Sequence, residues 1–300
     1  MNEIALIAGD AHPELGRDIA LALGATLIPV SISAFADGET RIRIEAEIRN
    51  ADLYIVQPTS SPTNERLMTL ALIADAAHAA GAARVTAVVP YFGYARQDVR
   101  KSSGEPLSAR LAAHLLHHAG IDRIVALELH SPALENAFEM PLFHLYADDL
   151  MLPVIRSWNI ADLVIVSPDA GGFKRAQRYA TALTVPLAVV TKNRPGADIA
   201  VTLKTLGEVR NRSCLIVDDM ASTGGTIAGA AHALFDAGAK AVHALFVHAV
   251  MAPGALDRIC AASVQRIVTT DSVRSNTDPR IEVVPIARFL SQALLPNRLP

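Results

Sequence analysis

The sequence predicts an α/β protein made of two tandem domains, each with a mostly parallel sheet flanked by helices. Its 300 residues leave room for two domains of ordinary size. Short apolar runs alternate with amphipathic stretches, which is typical of βα units. Two segments also recur along the chain. Hydrophobic residues make up 51% and aromatic residues only 5%, so we expect aliphatic cores and not a disordered chain.

The first elements follow from the spacing of apolar residues. Residues 4–8 form the first predicted strand, and a helix over 12–23 ends at Gly24, the usual residue at a helix C-terminus. A long helix is predicted over 64–80 and is stopped by Gly81. Further strands are predicted over 27–30, 41–44, 53–57 and 84–89. This alternation favours parallel strands joined by helices.

The second half repeats parts of the first. Residues 51–58 (ADLYIVQP) return as residues 161–168 (ADLVIVSP), and the segment 122–130 has a counterpart at 240–248. In the second pair, each segment follows an Ala-Gly pair and ends in His. We therefore expect one domain duplicated, with copies at residues 1–147 and 148–300.

Composition excludes several classes of protein. The net charge of −3 indicates neither a nucleic-acid-binding nor a membrane-binding surface. Cys214 and Cys260 cannot form a disulfide framework, and Cys214 opens an apolar run in which we expect it to be buried. No apolar run is long enough to span a membrane, and the chain starts without a basic leader. We expect a cytoplasmic protein.

The most informative segment is a strand end followed by a glycine loop. An apolar strand at 215–217 runs into Asp218 and Asp219, then into Ser-Thr-Gly-Gly-Thr at 222–226, and then into a helix. Glycines let the backbone turn and expose N–H groups, and a helix N-terminus favours anions. The segment predicts a site for a phosphate monoester, with two carboxylates that can hold neighbouring hydroxyls.

Residues 217–226 resemble the phosphoribosyl-binding signature of type I phosphoribosyltransferases. Five other segments narrow the resemblance to the phosphoribosyl pyrophosphate synthetase (ribose-phosphate diphosphokinase) family. They are FADGE at 35–39, PYFGYARQD at 90–98, ELH at 128–130, SPDAGG at 167–172 and KNRP at 192–195. The resemblance extends from about residue 4 to residue 270. It implies two tandem phosphoribosyltransferase-like domains, the first contributing to an ATP site and the second carrying a ribose 5-phosphate loop.

The resemblance also implies a reaction and its residues. The diphosphoryl group of ATP would pass to the 1-hydroxyl of ribose 5-phosphate, giving phosphoribosyl pyrophosphate and AMP, with Mg²⁺ as cofactor. The implied catalytic residues are Lys192 and Arg194, and the implied metal ligands are His130 and Asp169. The implied ribose 5-phosphate ligands are Arg194, Asp218, Asp219, Ser222, Thr223, Gly224, Gly225 and Thr226; those for ATP are Phe35, Asp37, Gly38, Glu39, Arg96 and Gln97. The family resemblance further implies a homo-oligomer in which the 35–39 loop reaches a neighbour's ATP site, with no nucleic-acid or membrane partner.

Two other functions stay open at this point. A nucleobase phosphoribosyltransferase would share the 218–226 site, but would need neither a second domain copy nor the YFGYARQD segment. A non-catalytic regulatory homologue of the synthetase would be expected to lose Lys192 and Arg194, which this chain keeps. Three positions depart from the common family pattern, in which Asp, Asp and Arg are frequent: Glu128, Ser222 and Asn193.

Overall fold

The computed structural model describes residues 4–193, 202–274 and 278–295, and every structural statement below refers to these residues. The chain divides into two compact units. The first contains the chain up to Tyr146, the short segment Ser272–Arg274 and the chain from Pro285 onward. The second contains Ala147–Asp271 and the segment that ends at Val284.

The first unit is built on a six-stranded parallel sheet in the order β2-β1-β5-β6-β7-β8. Its strands are β1 (Ile4–Ala8), β2 (Thr26–Leu27), β5 (Asp52–Val56), β6 (Arg84–Val89), β7 (Arg123–Leu127) and β8 (Leu142–Leu145). A separate antiparallel hairpin is formed by β3 (Val30–Ala34) and β4 (Thr40–Ile44). The helices are α1 (Pro13–Leu23), α2 (Thr63–Ala79) and α3 (Ser108–His118), with a 3-10 helix at Pro132–Ala137.

The predicted strand at 27–30 is wrong, because the structure forms two strands there. β2 ends at Leu27 and β3 begins at Val30. Pro29 between them has no N–H and cannot donate to a sheet ladder, although its carbonyl accepts from Glu45 at 2.9 Å. The chain therefore leaves the parallel sheet at Pro29 and starts the hairpin.

The second unit is built on a seven-stranded sheet in the order β11-β10-β9-β12-β13-β14-β15, parallel except for the β10–β11 pair. Its strands are β9 (Leu163–Ser167), β10 (Leu187–Asn193), β11 (Thr202–Leu206), β12 (Ser213–Ala221), β13 (Ala241–Ala249), β14 (Ile267–Thr270) and β15 (Glu282–Val284). Its helices are α4 (Asp148–Ser157), α5 (Phe173–Leu183), α6 (Gly225–Asp236) and α7 (Ala255–Ala261).

Burial on both sheet faces explains the apolar runs of the sequence. Every residue of β5, β9 and β13 is buried, as expected for central strands of a parallel sheet covered by helices. Cys214 lies fully buried in β12, where desolvation raises the pKa of its thiol to about 11. The expectation that Cys214 acts as a small buried hydrophobe is confirmed.

The two sheets share a topology, but the recurring segments do not occupy equivalent strands. Aligned by sheet position and chain order, β1 corresponds to β9, β5 to β12, β6 to β13 and β7 to β14. The sequence repeat instead paired β5 with β9 and β7 with β13. The predicted duplication of the fold is therefore confirmed. The predicted correspondence of segments is wrong by one strand, because β5 corresponds to β12 and not to β9, and β7 to β14 and not to β13. The His at residue 248, in β13, is consequently not the counterpart of His130, which follows β7.

The last described helix of the chain belongs to the first unit. Helix α8 (Ala287–Leu294) packs against α1, and the Tyr54 hydroxyl lies 3.5 Å from the Leu294 carbonyl oxygen. Residues 148–300 therefore do not form one continuous unit, because α8 covers apolar surface of the first. No helix in the described ranges is long and apolar enough to cross a membrane.

Candidate active site at the strand ends

The predicted phosphate loop joins β12 to α6. Asp218 and Asp219 lie near the carboxyl end of β12, and α6 begins at Gly225. Gly224, with φ of 74°, lies at the N-terminus of α6, where no side chain caps the helix. The first N–H groups of a helix lack intrahelical acceptors. Within the part of the chain that the structure describes, the Gly225 N–H makes a long 3.4 Å contact with the Thr223 hydroxyl. The loop can therefore accept an anion.

The two carboxylates share one buried guanidinium. Nη1 of Arg175, on α5, lies 3.6 Å from Oδ1 of Asp218 and 3.5 Å from Oδ1 of Asp219. Asp219 is only 2% exposed, and its N–H donates to Oδ1 of Asp218 at 2.9 Å. No pattern in the sequence indicates Arg175, because the packing of α5 beside β12 is what brings it to the carboxylates.

Asp218 has an unusual acidity. Burial raises the pKa of its carboxyl well above the ordinary value, the negative charges of Asp219 and Asp169 raise it further, and Arg175 opposes them. Perturbed carboxyl groups of this kind are concentrated at functional sites. The raised pKa therefore makes Asp218 a candidate functional residue.

Asp169, predicted as a metal ligand, lies on the loop after β9, which pairs with β12 in the sheet. Its Oδ1 accepts the Gly172 N–H at 3.0 Å, and the Ser167 hydroxyl donates to its carbonyl at 2.6 Å. Asp169 remains exposed, and its charge acts on Asp218. Neighbouring strand ends thus bring Asp169, Asp218 and Asp219 into one acidic cluster around Arg175.

Lys192 lies on β10, the neighbour of β9, one residue before the strand ends. Its backbone is opposite Leu203 of β11 in the antiparallel pair. Arg194, the other predicted catalytic residue, lies outside the described residues. β10, the second strand from the edge of the sheet, is therefore the element that carries the predicted lysine.

The predicted ATP-binding residues Phe35, Asp37, Gly38 and Glu39 form the tip of the β3–β4 hairpin. The Phe35 N–H donates to the Glu39 carbonyl at 2.8 Å, and the Glu39 N–H donates to Oδ1 of Asp37 at 3.2 Å. Gly38 has a φ of 93°, which glycine adopts most easily. Phe35 is 51% exposed, with the Arg41 guanidinium 5.7 Å from its ring centre. The tip thus carries an exposed aromatic ring beside a guanidinium.

Arg96 and Gln97 lie in the turn before α3, apart from the hairpin. Both are exposed. Gln97 is held at the start of α3, since its carbonyl accepts the Ala109 N–H at 3.3 Å and its Oε1 accepts the Ser108 hydroxyl at 2.5 Å. These contacts fix the turn on which Arg96 is displayed.

His130 follows β7 and is partly exposed. The preceding backbone is held by His144, whose Nε2 accepts the Leu129 N–H at 2.9 Å while its Nδ1 lies 2.8 Å from Oε1 of Glu135. Glu128 is buried with a φ of 41°, an uncommon conformation for this residue type. His130 belongs to the first unit and Asp169 to the second.

The predicted metal ligands meet the requirements of Mg²⁺ only in part. This ion prefers oxygen ligands and is usually held by one or two carboxylates, with substrate phosphates and waters completing its shell. The exposed carboxylate of Asp169 fits, whereas the imidazole of His130 is a softer ligand. Within the described ranges, no group of three or more His, Cys, Asp or Glu side chains is placed to hold a metal ion. Of the two predicted ligands, Asp169 is therefore the one whose chemistry suits Mg²⁺.

Both halves of the chain match known families. Residues 4–120 match the N-terminal domain of ribose phosphate pyrophosphokinase, and residues 135–282 match the phosphoribosyl transferase domain. A ribose-phosphate pyrophosphokinase of Burkholderia pseudomallei is 38% identical, covering 96% of this chain and 92% of its own length; one of Neisseria meningitidis is 39% identical, covering 98% and 91%. The crystal structure of phosphoribosylpyrophosphate synthetase from Mycobacterium smegmatis superposes with a TM-score of 0.93 at 34% identity, covering 99% of this chain and 100% of the other. The chain belongs to the ribose-phosphate pyrophosphokinase family.

Proposed function

We propose that this protein transfers the diphosphoryl group of ATP to the 1-hydroxyl of ribose 5-phosphate, giving phosphoribosyl pyrophosphate and AMP. The observation that carries the proposal is the strand end that places Asp218 and Asp219 beside the uncapped N-terminus of α6, in a chain of this family. A phosphate site next to hydroxyl-binding carboxylates matches the two ends of a sugar phosphate. The 5-phosphate binds to the loop at 222–226, and the ribose hydroxyls donate to Asp218 and Asp219.

Transfer itself depends on placement and charge. The 1-hydroxyl oxygen attacks the β-phosphorus of ATP, the bond to the α-phosphate oxygen breaks, AMP leaves, and the hydroxyl proton is released. Such reactions are accelerated mainly by orientation and by neutralising charge on the phosphate oxygens. Lys192 and Arg194 are the cations proposed for that role. Mg²⁺, when bound, neutralises further phosphate charge, and Asp169 with His130 are its proposed protein ligands.

ATP is proposed to bind through residues of the first unit. Arg96 and Gln97 contact the nucleotide from the turn before α3. The exposed ring of Phe35 stacks on adenine, as aromatic faces commonly do, and Asp37, Gly38 and Glu39 complete the hairpin tip. The hairpin forms a sheet of its own whose strands pack on the core of the unit, while Phe35 at its tip is exposed. The exposed tip supports a homo-oligomer in which it serves a neighbouring subunit.

The decisive assay supplies ATP, Mg²⁺ and ribose 5-phosphate to the purified protein. We expect AMP and phosphoribosyl pyrophosphate in equal amounts. Lys192→Ala should mainly lower kcat, whereas Asp218→Ala should mainly raise the KM for ribose 5-phosphate. Absence of AMP, with conversion of phosphoribosyl pyrophosphate and a nucleobase into a nucleotide and pyrophosphate instead, would identify a phosphoribosyltransferase. No turnover under either condition would favour a regulatory homologue.

Sharing of the ATP site can be tested by mixing two inactive variants. One carries Phe35→Ala together with Glu39→Ala in the hairpin, and the other carries Lys192→Ala. If a subunit's hairpin serves its neighbour, dissociating and reassembling the mixture restores activity, because some sites combine two intact contributions. A mixture that stays as inactive as its components would contradict a shared site. Reassembled single variants are the matched controls.

A further inference from the structure

The phosphate loop is held from one side by the segment that connects β13 to α7. Three consecutive carbonyl oxygens of the loop accept hydrogen bonds, two from this segment and one from α7. Ala221 accepts from the Met251 N–H at 2.9 Å, and Ser222 accepts from the Ala252 N–H at 2.8 Å. Thr223 accepts from Nη1 of Arg258, on α7. Of the three donors, Arg258 is the one that donates with its side chain.

Peptide geometry turns these contacts into an orientation of N–H groups. In a trans peptide, the N–H points opposite to the C=O of the preceding residue. Fixing the three carbonyls toward the β13–α7 segment therefore aims the N–H groups of Ser222, Thr223 and Gly224 toward the opposite side. Consecutive N–H groups that converge in this way form an anion-binding concavity. The Gly224 N–H depends on the Thr223 carbonyl, and hence on Arg258.

The close approach of loop and helix makes this arrangement specific. A Cβ added to Gly224 would lie 2.5 Å from the Ala255 carbonyl oxygen and 3.0 Å from the Ile259 side chain. α7 thus lies directly against the loop. Met251 and Ala252 donate to the first two carbonyls, and Arg258 donates to the third, that of Thr223. Another arginine, Arg280, contacts α7 at the Asp257 carboxylate at 2.8 Å, away from the loop backbone.

We infer that Arg258 is a positioning residue for ribose 5-phosphate binding, because it fixes the Thr223–Gly224 peptide so that its N–H faces the 5-phosphate. The inference rests on the proposed function and extends it to a residue outside the phosphate loop. Arg258 acts through the backbone, so it affects affinity for the sugar phosphate and not the transfer step. Loss of the Arg258 side chain lets the Thr223–Gly224 peptide rotate, so that the Gly224 N–H no longer points into the anion-binding concavity.

The test is calorimetric titration of ribose 5-phosphate, and separately of inorganic phosphate, into wild-type protein and three variants. Arg258→Met should weaken binding of both ligands by about tenfold, and Arg258→Lys should weaken it less. Arg280→Met, which removes a guanidinium that contacts α7 at Asp257, should bind as wild type does. In turnover assays, Arg258→Met should raise the KM for ribose 5-phosphate by a similar factor, with kcat and the KM for ATP within about twofold.

The outcomes separate the two hypotheses. Wild-type protein that fails to bind ribose 5-phosphate overturns the proposed function itself. If wild type binds and Arg258→Met binds equally well, or if Arg280→Met weakens binding as much, the role of Arg258 is overturned. The melting temperature of each variant shows whether it is folded. If Arg258→Met does not fold, binding by Arg258→Lys is compared with that of wild type instead.

Discussion

Asp218 combines a proposed role in ligand binding with a cost in stability. Its pKa is raised above the ordinary value because the carboxyl is buried beside Asp219. A buried carboxyl that prefers its neutral form stabilises the fold at low pH, and this contribution is lost as the pH rises through the raised pKa. The residue that the proposed site needs as an anion is thus one that the fold prefers to hold neutral, as in other trade-offs between stability and activity.

We predict that Asp218→Asn raises the melting temperature at pH 8 while weakening ribose 5-phosphate binding. The amide removes the repulsion from Asp219, and its NH₂ cannot accept a hydrogen bond from a ribose hydroxyl. Thermal unfolding at pH 5 and pH 8 measures the effect, which should be larger at pH 8. Asp75→Asn, at an exposed position of α2, is the control. A variant that melts at or below the wild-type temperature at pH 8 would contradict the account.

His243 makes a second prediction about pH. This residue of β13 is 5% exposed, and burial together with Arg266 lowers the pKa of its imidazole to about 4. Between pH 6.5 and 4 the unfolded chain therefore binds a proton that the folded chain does not. The contribution of His243 to the free energy of unfolding is fully present above pH 6.5. It falls by up to about 3 kcal/mol as the pH decreases toward 4.

Replacing this imidazole should remove that part of the acid sensitivity. We expect urea unfolding of His243→Leu to show a smaller loss of free energy of unfolding between pH 7 and pH 4.5 than wild type. His232→Leu, at an exposed position of α6, should keep the wild-type slope. Equal slopes in wild type and His243→Leu would show that another group causes the acid loss.

At the scale of elements, what could be predicted from sequence was local. The strand, acidic pair, glycine loop and helix at 215–226 are contiguous, so their order alone indicates the site. Arg175 and Arg258 reach this site from α5 and α7, and no short-range pattern reports such contacts. The recurring segments correctly indicated duplication, yet similar buried strands have similar sequences, and the match fell on strands one position apart.

Two glycines allow a matched test of the loop–helix contact. Gly224 and Gly254 share nearly the same left-handed backbone, with φ of 74° and 76°, but a Cβ collides with Ala255 only at Gly224 and meets open space at Gly254. Gly254→Ala should therefore carry the backbone strain alone, about 1 kcal/mol. Gly224→Ala should add displacement of the loop and raise the KM for ribose 5-phosphate by about tenfold or more. Equal KM values for the two variants would contradict a functional role for the close contact between the loop and α7.

At the scale of the whole molecule, sequence order and structural unit do not coincide. The predicted division into residues 1–147 and 148–300 follows the chain, while α8 lies with α1 in the first unit. An amphipathic helix at the end of a sequence does not state which core it covers, so this assignment required the structure.

The return of α8 predicts where a distant substitution will act. Leu290 is fully buried in α8, and Leu290→Ala should cost about 2–5 kcal/mol. Hydrogen exchange should show the lost protection in β1 and α1, although Leu290 follows the entire second unit in sequence. Leu234→Ala, a comparable buried change in α6, should instead loosen β12 and β13. Loss of protection around β12 and β13 in Leu290→Ala would contradict the assignment.

The pairing of α1 with α8 also sets an order of events during protein synthesis. The ribosome delivers α1 early and α8 only after all of the second unit, and domains generally fold as they emerge. The apolar surface of α1 that α8 covers in the complete structure is then exposed to solvent while the second unit forms its core. The nascent first unit is the part of the chain that a molecular chaperone would be expected to engage, until α8 leaves the exit tunnel.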